Sequence, residues 1–302
     1  MLWTSDSPEV RRNAGFMSAR EQDAVLQSQV AIAGVGGEGF NLALLLARSG
    51  VQRFRIADPE VFEAENVNRV PGARTTTLQK NKAEVLRHDI LDINPSALVE
   101  VWPDGIGRDS ADDFVEGASL TFDGIDLFRP DLSVALYRAA RRHTIPAMTS
   151  MNIGRSAVVT SFKATGGTTF EKLIGISDNL PLDQIKPESI PLSRTVPYLP
   201  SYENVSVLQR VASGQMPLPS LAVGVGLATA LAAEQALRHL THYEFKQPVW
   251  ARRFAYVDIG DTAVRAGTLW FPRASHYRRL LTAVLRSVVG AAHQPGGYGD
   301  MP

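Results

Sequence analysis

The chain has 302 residues, 31 basic and 31 acidic side chains, a formal net charge of zero and no cysteine. Disulfides, a cysteine-held zinc site and a thiolate nucleophile are therefore excluded, and no global field draws nucleic acid or an anionic membrane. With 44% hydrophobic content, this length suits one large α/β domain built on one principal core.

Residues 1–13 have no basic segment followed by an apolar run and cleavage site, so no secretory signal is expected and the cytoplasm is the default compartment. An N-terminal arm or helix is assigned to 1–28. A short apolar strand over 29–33 then enters the string AGVGGEG at 33–39. A helix is predicted over 38–49 and a second strand over 53–57, ending at Asp58, which completes a βαβ unit. Alternation continues with a helix over 77–93, strands over 98–102 and 119–122, a helix over 131–143 and a strand over 145–149. The prediction is a Rossmann-like, doubly wound, mostly parallel sheet, extended toward its C-terminal side by 156–162.

From 163 to 220 periodicity fades and glycines and prolines gather. Such a long irregular excursion is a natural place for substrate recognition, although Tyr198 and Tyr202 within it serve equally well as packing residues. The apolar run over 221–237 is short for a membrane span and carries Glu234 and Gln235, so a buried or interface helix is expected. Its small residues permit close packing. A late strand over 253–258 completes the core within 221–275, and 276–302 is read as a basic amphipathic helix over 277–289 and a flexible tail. The six histidines are scattered, and no histidine metal site is expected.

Gly34, Gly36, Gly37 and Gly39 remove side chains where backbone N–H groups at a helix N-terminus meet a phosphate. Asp58, about twenty residues on, is placed to accept hydrogen bonds from a ribose. This pair alone fits a nicotinamide or flavin enzyme equally well, or a turn that needs glycine and nothing more. The string DPEVFEAENVNR that begins at Asp58 adds amide and guanidinium donors, Asn66, Asn68 and Arg69, for which a dinucleotide site has no use. Lys82 follows near the start of the next helix. Arginine and lysine converging on an α-phosphate suit adenylyl transfer, because charge builds there as a carboxylate attacks. Asp126 in FDGID, at the carboxyl edge of the sheet, suits magnesium on the leaving pyrophosphate. The plainer alternatives make Lys82 a solvated helix residue and Asp126 a helix cap.

In this order the motifs resemble the ThiF/MoeB-type adenylyltransferases, relatives of the adenylation domain of ubiquitin-activating enzymes. The resemblance covers 11–162, the small-residue helix and the strand RFAYVD, and makes 29–162 the ATP-binding adenylation domain. AGVGGEG matches the family's glycine loop, IADPEVFEAENVNR its acid followed by an asparagine and arginine motif, KAEVLRHDILDINP its lysine-led helix and FDGID its magnesium aspartate. The resemblance implies that Asp58 binds ribose, that Glu60 belongs to the same nucleotide site, and that Asn66 and Arg69 hold phosphates. It further implies Lys82 on the α-phosphate, Asp126 on magnesium, and a homodimer in which Arg11 or Arg12 crosses to the partner's ATP.

Two departures stand out. Val70 replaces the usual glutamine, and the cysteine pairs and acyl-accepting cysteine of many relatives are missing. The resemblance thus supports adenylation without a thioester. The segment over 169–202 resembles a branch of stand-alone bacterial proteins and nitroreductase fusions, and some cysteine-free members tailor peptides or small metabolites. The expected activity is ATP- and magnesium-dependent conversion of a carboxylate, on a peptide, a small carrier protein or a metabolite, into an acyl adenylate. An ATP-binding scaffold and an NAD- or FAD-dependent oxidoreductase stay open as alternatives.

Overall fold

The computed structural model describes residues 2–186, 197–198, 200–202, 204, 207, 210, 215–242 and 246–268. The helix and tail expected over 276–302 lie outside the described residues.

Eight strands form one sheet: β1 Gln29–Ala33, β2 Arg53–Ala57, β3 Leu98–Trp102, β4 Leu120–Asp123, β5 Ala147–Ile153, β6 Ser156–Phe162, β7 Arg253–Asp258 and β8 Ala263–Thr268. Their order is β3-β2-β1-β4-β5-β6-β7-β8. The first five run parallel, while β6, β7 and β8 add on antiparallel. The sheet is thus Rossmann-like and mostly parallel, with an antiparallel extension. β1 sits between parallel neighbours with Val30, Ala31, Ile32 and Ala33 all buried, which is why it reads as a continuous apolar run rather than an alternation. The step from β5 to β6 takes only two residues, with Gly154 at φ 58° supplying the conformation that a tight hairpin needs.

Among the described residues, seven α-helices cover the sheet: α1 Ala19–Gln27, α2 Gly37–Ser49, α3 Lys82–Ile93, α4 Ala111–Val115, α5 Pro130–Arg142, α6 Phe170–Ile174 and α7 Ala222–Leu240. Residues of α1, α2, α3 and α7 pack into one apolar cluster, and those of α4, α5 and α6 into another, so the sheet is buried between two helical layers. On α7, Gly224, Ala228, Ala232 and Ala236 are buried one turn apart. A Cβ at Gly224 would overlap the Gly154 carbonyl. The close packing permitted by these small residues is therefore spent inside the chain. Among the described residues no helix is long and apolar enough to cross a membrane.

Two expectations are corrected. The helix predicted over 77–93 begins at Lys82, because Gln79 adopts φ 64° and residues 79–82 run beside 60–62, with Gln79 N–H donating to Phe62 O and Lys82 N–H to Glu60 O. The excursion after β6 also begins in order. Phe170 of α6 stacks on Tyr137, and the fully buried Glu171 accepts from Arg138 Nε at 3.0 Å and Arg141 Nη2 at 2.7 Å. That pairing is what makes a buried carboxylate tolerable. Tyr198 packs edge-on against Phe254, and Tyr202 donates to Asp258 Oδ1. Both tyrosines thus contact residues of β7.

Candidate active site

The chain leaves β1 toward β2 and β3 and returns to the other side of β1 as β4, which opens a crevice at the carboxyl ends of β1 and β4. The glycine turn after β1 and the FDGID turn after β4 line it. Gly34 has φ 84°, and a Cβ there would overlap the carbonyl of Gly124; a Cβ at Gly39 would overlap the carbonyl of Gly34. At Gly37 it would crowd Val225 of α7, 3.2 Å away, and approach the stem of Arg69 at 3.8 Å. Gly36 differs, since a Cβ there would meet nothing within 4 Å. Two glycines thus serve close backbone packing, whereas the space beside Gly36 is open. No side chain caps α2, so its first N–H groups are left for solvent or an anion.

This contrast gives a prediction. Gly39→Ala is expected to cost about 1–3 kcal/mol of stability by overpacking, while Gly36→Ala melts like the parent but binds nucleotide more weakly. Thermal melts and nucleotide titrations of both variants check it; equal melting points would contradict the packing geometry.

Asp58, 5% exposed, accepts from Val35 N–H at 2.8 Å through Oδ2 and from Glu60 N–H at 2.9 Å through Oδ1. It fastens the glycine turn to the loop after β2. Burial raises its pKa, against the hydrogen bonds and the charge of Lys82 that lower it. Lys82 is the first residue of α3, and its Nζ makes an ion pair with the carboxylate of Glu60. Its side chain is 7% exposed and that of Glu60 61%, so the ammonium reaches out of the core to the crevice rim. The solvated-helix alternative for Lys82 is thereby set aside.

Asn81, which the sequence reading passed over, holds this corner together. Its Oδ1 caps α3 by accepting from Ala83 and Glu84 N–H, while its Nδ2 donates to Asp58 O at 2.9 Å and Pro103 O at 3.1 Å. An asparagine just before a helical pattern is a start signal that was there to be read.

Asp126 accepts from Phe128 N–H at 2.9 Å and stands four residues before α5, so it is no helix cap. Burial raises its pKa most; Phe128 N–H lowers it, Glu60 raises it, and Lys82 and Arg129 lower it. The charges of Glu60 and Lys82 thus reach Asp126.

The asparagine and arginine motif divides. Asn66 is buried and its Oδ1 accepts from Glu63 N–H, so it shapes its own turn. Asn68 donates to Ser220 O at 2.9 Å and accepts from Arg69 Nη1 at 2.9 Å. One of its two amide N–H groups is therefore engaged by the protein. Arg69 also donates to Glu65 O at 2.9 Å, with its stem beside Gly37.

A model of the ThiF family matches residues 10–270. The chain belongs to the ThiF family. It is 30% identical over 139 residues to the tRNA threonylcarbamoyladenosine dehydratase of Escherichia coli K12, an alignment covering 46% of this chain and 51% of that protein. The chain thus spans about half the length of this curated relative. The fold is similar to that of E. coli MccB with ATP, at TM-score 0.65 and 16% identity over 88% of this chain and 72% of that one. It is also similar to the microcin C7 biosynthetic enzyme MccB in complex with N-formylated MccA, at TM-score 0.65 and 16% identity over 87% and 73%.

Within this ThiF-family chain, Val70 is 3% exposed and lies in the core cluster with Phe40 and Phe62. The exchange of glutamine for valine thus fills a core position. Arg11 and Arg12 are exposed in a turn that packs at the far end of α2, where Asn13 Nδ2 donates to Ser49 O. The 13 residues of α2 separate that turn from the glycine loop by about 20 Å, too far for either arginine to reach its own crevice.

Within FDGID, Asp123 is buried and accepts from Ile125 N–H at 3.1 Å and Ser133 Oγ at 3.2 Å. Burial pushes its pKa from 3.8 up to about 6. The folded state therefore holds this proton more tightly than the unfolded chain, and stability contributed by the group falls as pH rises from about 4 to about 6. Asp123→Asn is expected to gain stability relative to the parent across that window, on the order of 2–3 kcal/mol. Urea midpoints on both sides of it check the sign.

Proposed function

We propose that the protein converts a carboxylate into an acyl adenylate at the expense of ATP and passes the acyl group on without forming a thioester. What carries this reading is the Lys82–Glu60 ion pair and the Asp126-bearing turn packed against an uncapped, glycine-lined helix start in a ThiF-family chain. In this account Asp58 receives the ribose, and the turn at Gly34, Gly36, Gly37 and Gly39 receives the phosphates. Lys82 and Arg69 face the α-phosphate, and Glu60 holds Lys82 in place until the nucleotide arrives.

A carboxylate oxygen attacks the α-phosphorus, the bond to the β-phosphate breaks, and pyrophosphate leaves. Lys82 and Arg69 offset the charge that builds on the α-phosphate, and positioning supplies much of the remaining acceleration. Asp126 suits magnesium: it offers hard oxygen donors on a residue that keeps access to solvent, and partial desolvation of its carboxyl together with the Glu60 charge raises its pKa, a repulsion that a cation relieves. When bound there, magnesium neutralises charge on the leaving pyrophosphate.

In the second half an amine or another nucleophile attacks the acyl carbon, and AMP departs with the former carboxylate oxygen. With no cysteine in the chain, that nucleophile belongs to the substrate or to a partner. Support for a peptide carboxylate in tailoring chemistry comes from the likeness to MccB, a biosynthetic enzyme solved with N-formylated MccA. The zero net charge favours that class over a nucleic acid. In a homodimer, Arg11 or Arg12 acts on the partner's nucleotide, consistent with their distance from their own crevice. The exchange at Val70 gives little support to a non-catalytic scaffold, because that side chain faces the core.

The test is ATP–pyrophosphate exchange by purified protein with magnesium and pools of peptides and carboxylic acids. Exchange that requires a carboxylate supports the reading. Binding of NAD in place of ATP would overturn it.

A further inference from the structure

Glu38 lies in the glycine turn, yet its carboxylate turns away from the crevice floor. Oε2 accepts from Ser150 Oγ at 2.8 Å and Oε1 from Asn152 N–H at 2.8 Å, both on β5. Burial raises its pKa, and among the described residues no cation pairs with it. A carboxylate desolvated for two hydrogen bonds to another strand is costly unless those bonds do something specific. From β5 the contacts continue: Asn152 Nδ2 donates to Ser220 Oγ at 3.4 Å, Ser220 O accepts from Asn68 Nδ2 at 2.9 Å, and Asn68 Oδ1 accepts from Arg69 Nη1 at 2.9 Å. Arg69 returns to the turn beside Gly37. Four segments thus close a ring around the crevice: the glycine turn, the end of β5, the residue preceding the N-cap of α7, and the asparagine and arginine motif. Leu218, Leu221 and Val223 stand exposed next to Ser220.

We propose that Glu38, Asn152, Ser220 and Asn68 form a clasp that locks the end of the 163–220 segment onto the glycine turn and sets the acyl substrate against the nucleotide. Glu38 is a positioning residue in this scheme, acting through β5 rather than on the reacting atoms. The inference rests on the adenylation reading for the identity of the ligands, although the clasp itself is a physical link that nucleotide alone probes.

The experiment is amide hydrogen exchange of the full chain with and without ATP and magnesium, for the parent, Glu38→Ala and Glu38→Gln. ATP is expected to slow exchange in both 34–40 and 215–224 of the parent. In Glu38→Ala, protection of 34–40 persists and protection of 215–224 is lost. Glu38→Gln restores it, because the amide still accepts from Asn152 N–H and donates to Ser150 Oγ. In pyrophosphate exchange, Glu38→Ala raises the carboxylate KM about tenfold with the ATP KM nearly unchanged. Protection of 215–224 that survives in Glu38→Ala overturns the clasp while leaving adenylation intact. Failure of ATP to protect even 34–40 in the parent overturns the nucleotide site and the clasp with it. A Glu38→Ala chain that does not fold is distinguished by its melt, and Asn68→Ala then carries the same comparison, with the same loss at 215–224 expected.

Discussion

Lys82→Met is expected to lower ATP–pyrophosphate exchange by about 10²–10³-fold, the loss typical of one preorganised charge at a transition state. The fold should survive the change. Methionine replaces most of the apolar stem that keeps Lys82 at 6% exposure, and the abandoned Glu60 carboxylate, 61% exposed, is left in water rather than stranded. The informative split is between parameters: kcat should fall more than ATP affinity, because charge on the α-phosphate grows only as the carboxylate attacks. Exchange rates beside thermal melts check this. A variant with parental exchange would remove Lys82 from the chemistry and reduce its ion pair to surface decoration.

Asp126→Asn is the second large effect. Asparagine keeps the acceptor that Phe128 N–H uses, so the turn ahead of α5 should hold. It removes the charge, and with it the several kcal/mol that a bound magnesium contributes to a developing anion, which corresponds to roughly a hundredfold or more in rate. The magnesium concentration giving half-maximal exchange should rise in the variant, and excess metal should recover part of the rate. A loss of rate with an unchanged magnesium midpoint would place the metal on another residue.

Much of this site was legible because its parts are local strings. A glycine turn, an acid ending β2, a lysine opening a helix and an aspartate after β4 each announce themselves within a few residues, and the parallel sheet brings all four to one edge. Most of the strands were equally plain, since β1, β2, β3, β6 and β7 lie where the sequence placed them. What stayed hidden depends on long-range partners. Glu38 and Asn68 find Ser150 and Ser220 across 112 and 152 residues, and nothing in a five-residue window announces such partners. The start of α3 was misplaced because pairing of 79–82 with 60–62 overrides local helix propensity. β8 was missed because AVRAGT carries no apolar alternation and is held by backbone pairing to β7.

The most direct test of the central claim follows one oxygen. A carboxylate substrate selected by pyrophosphate exchange is labelled with ¹⁸O in its carboxyl group and turned over with unlabelled ATP and magnesium in the presence of its acyl acceptor. Adenylation followed by acyl transfer predicts AMP carrying ¹⁸O and pyrophosphate without it. Label in inorganic phosphate, or AMP released unlabelled, would contradict attack of the carboxylate on the α-phosphate.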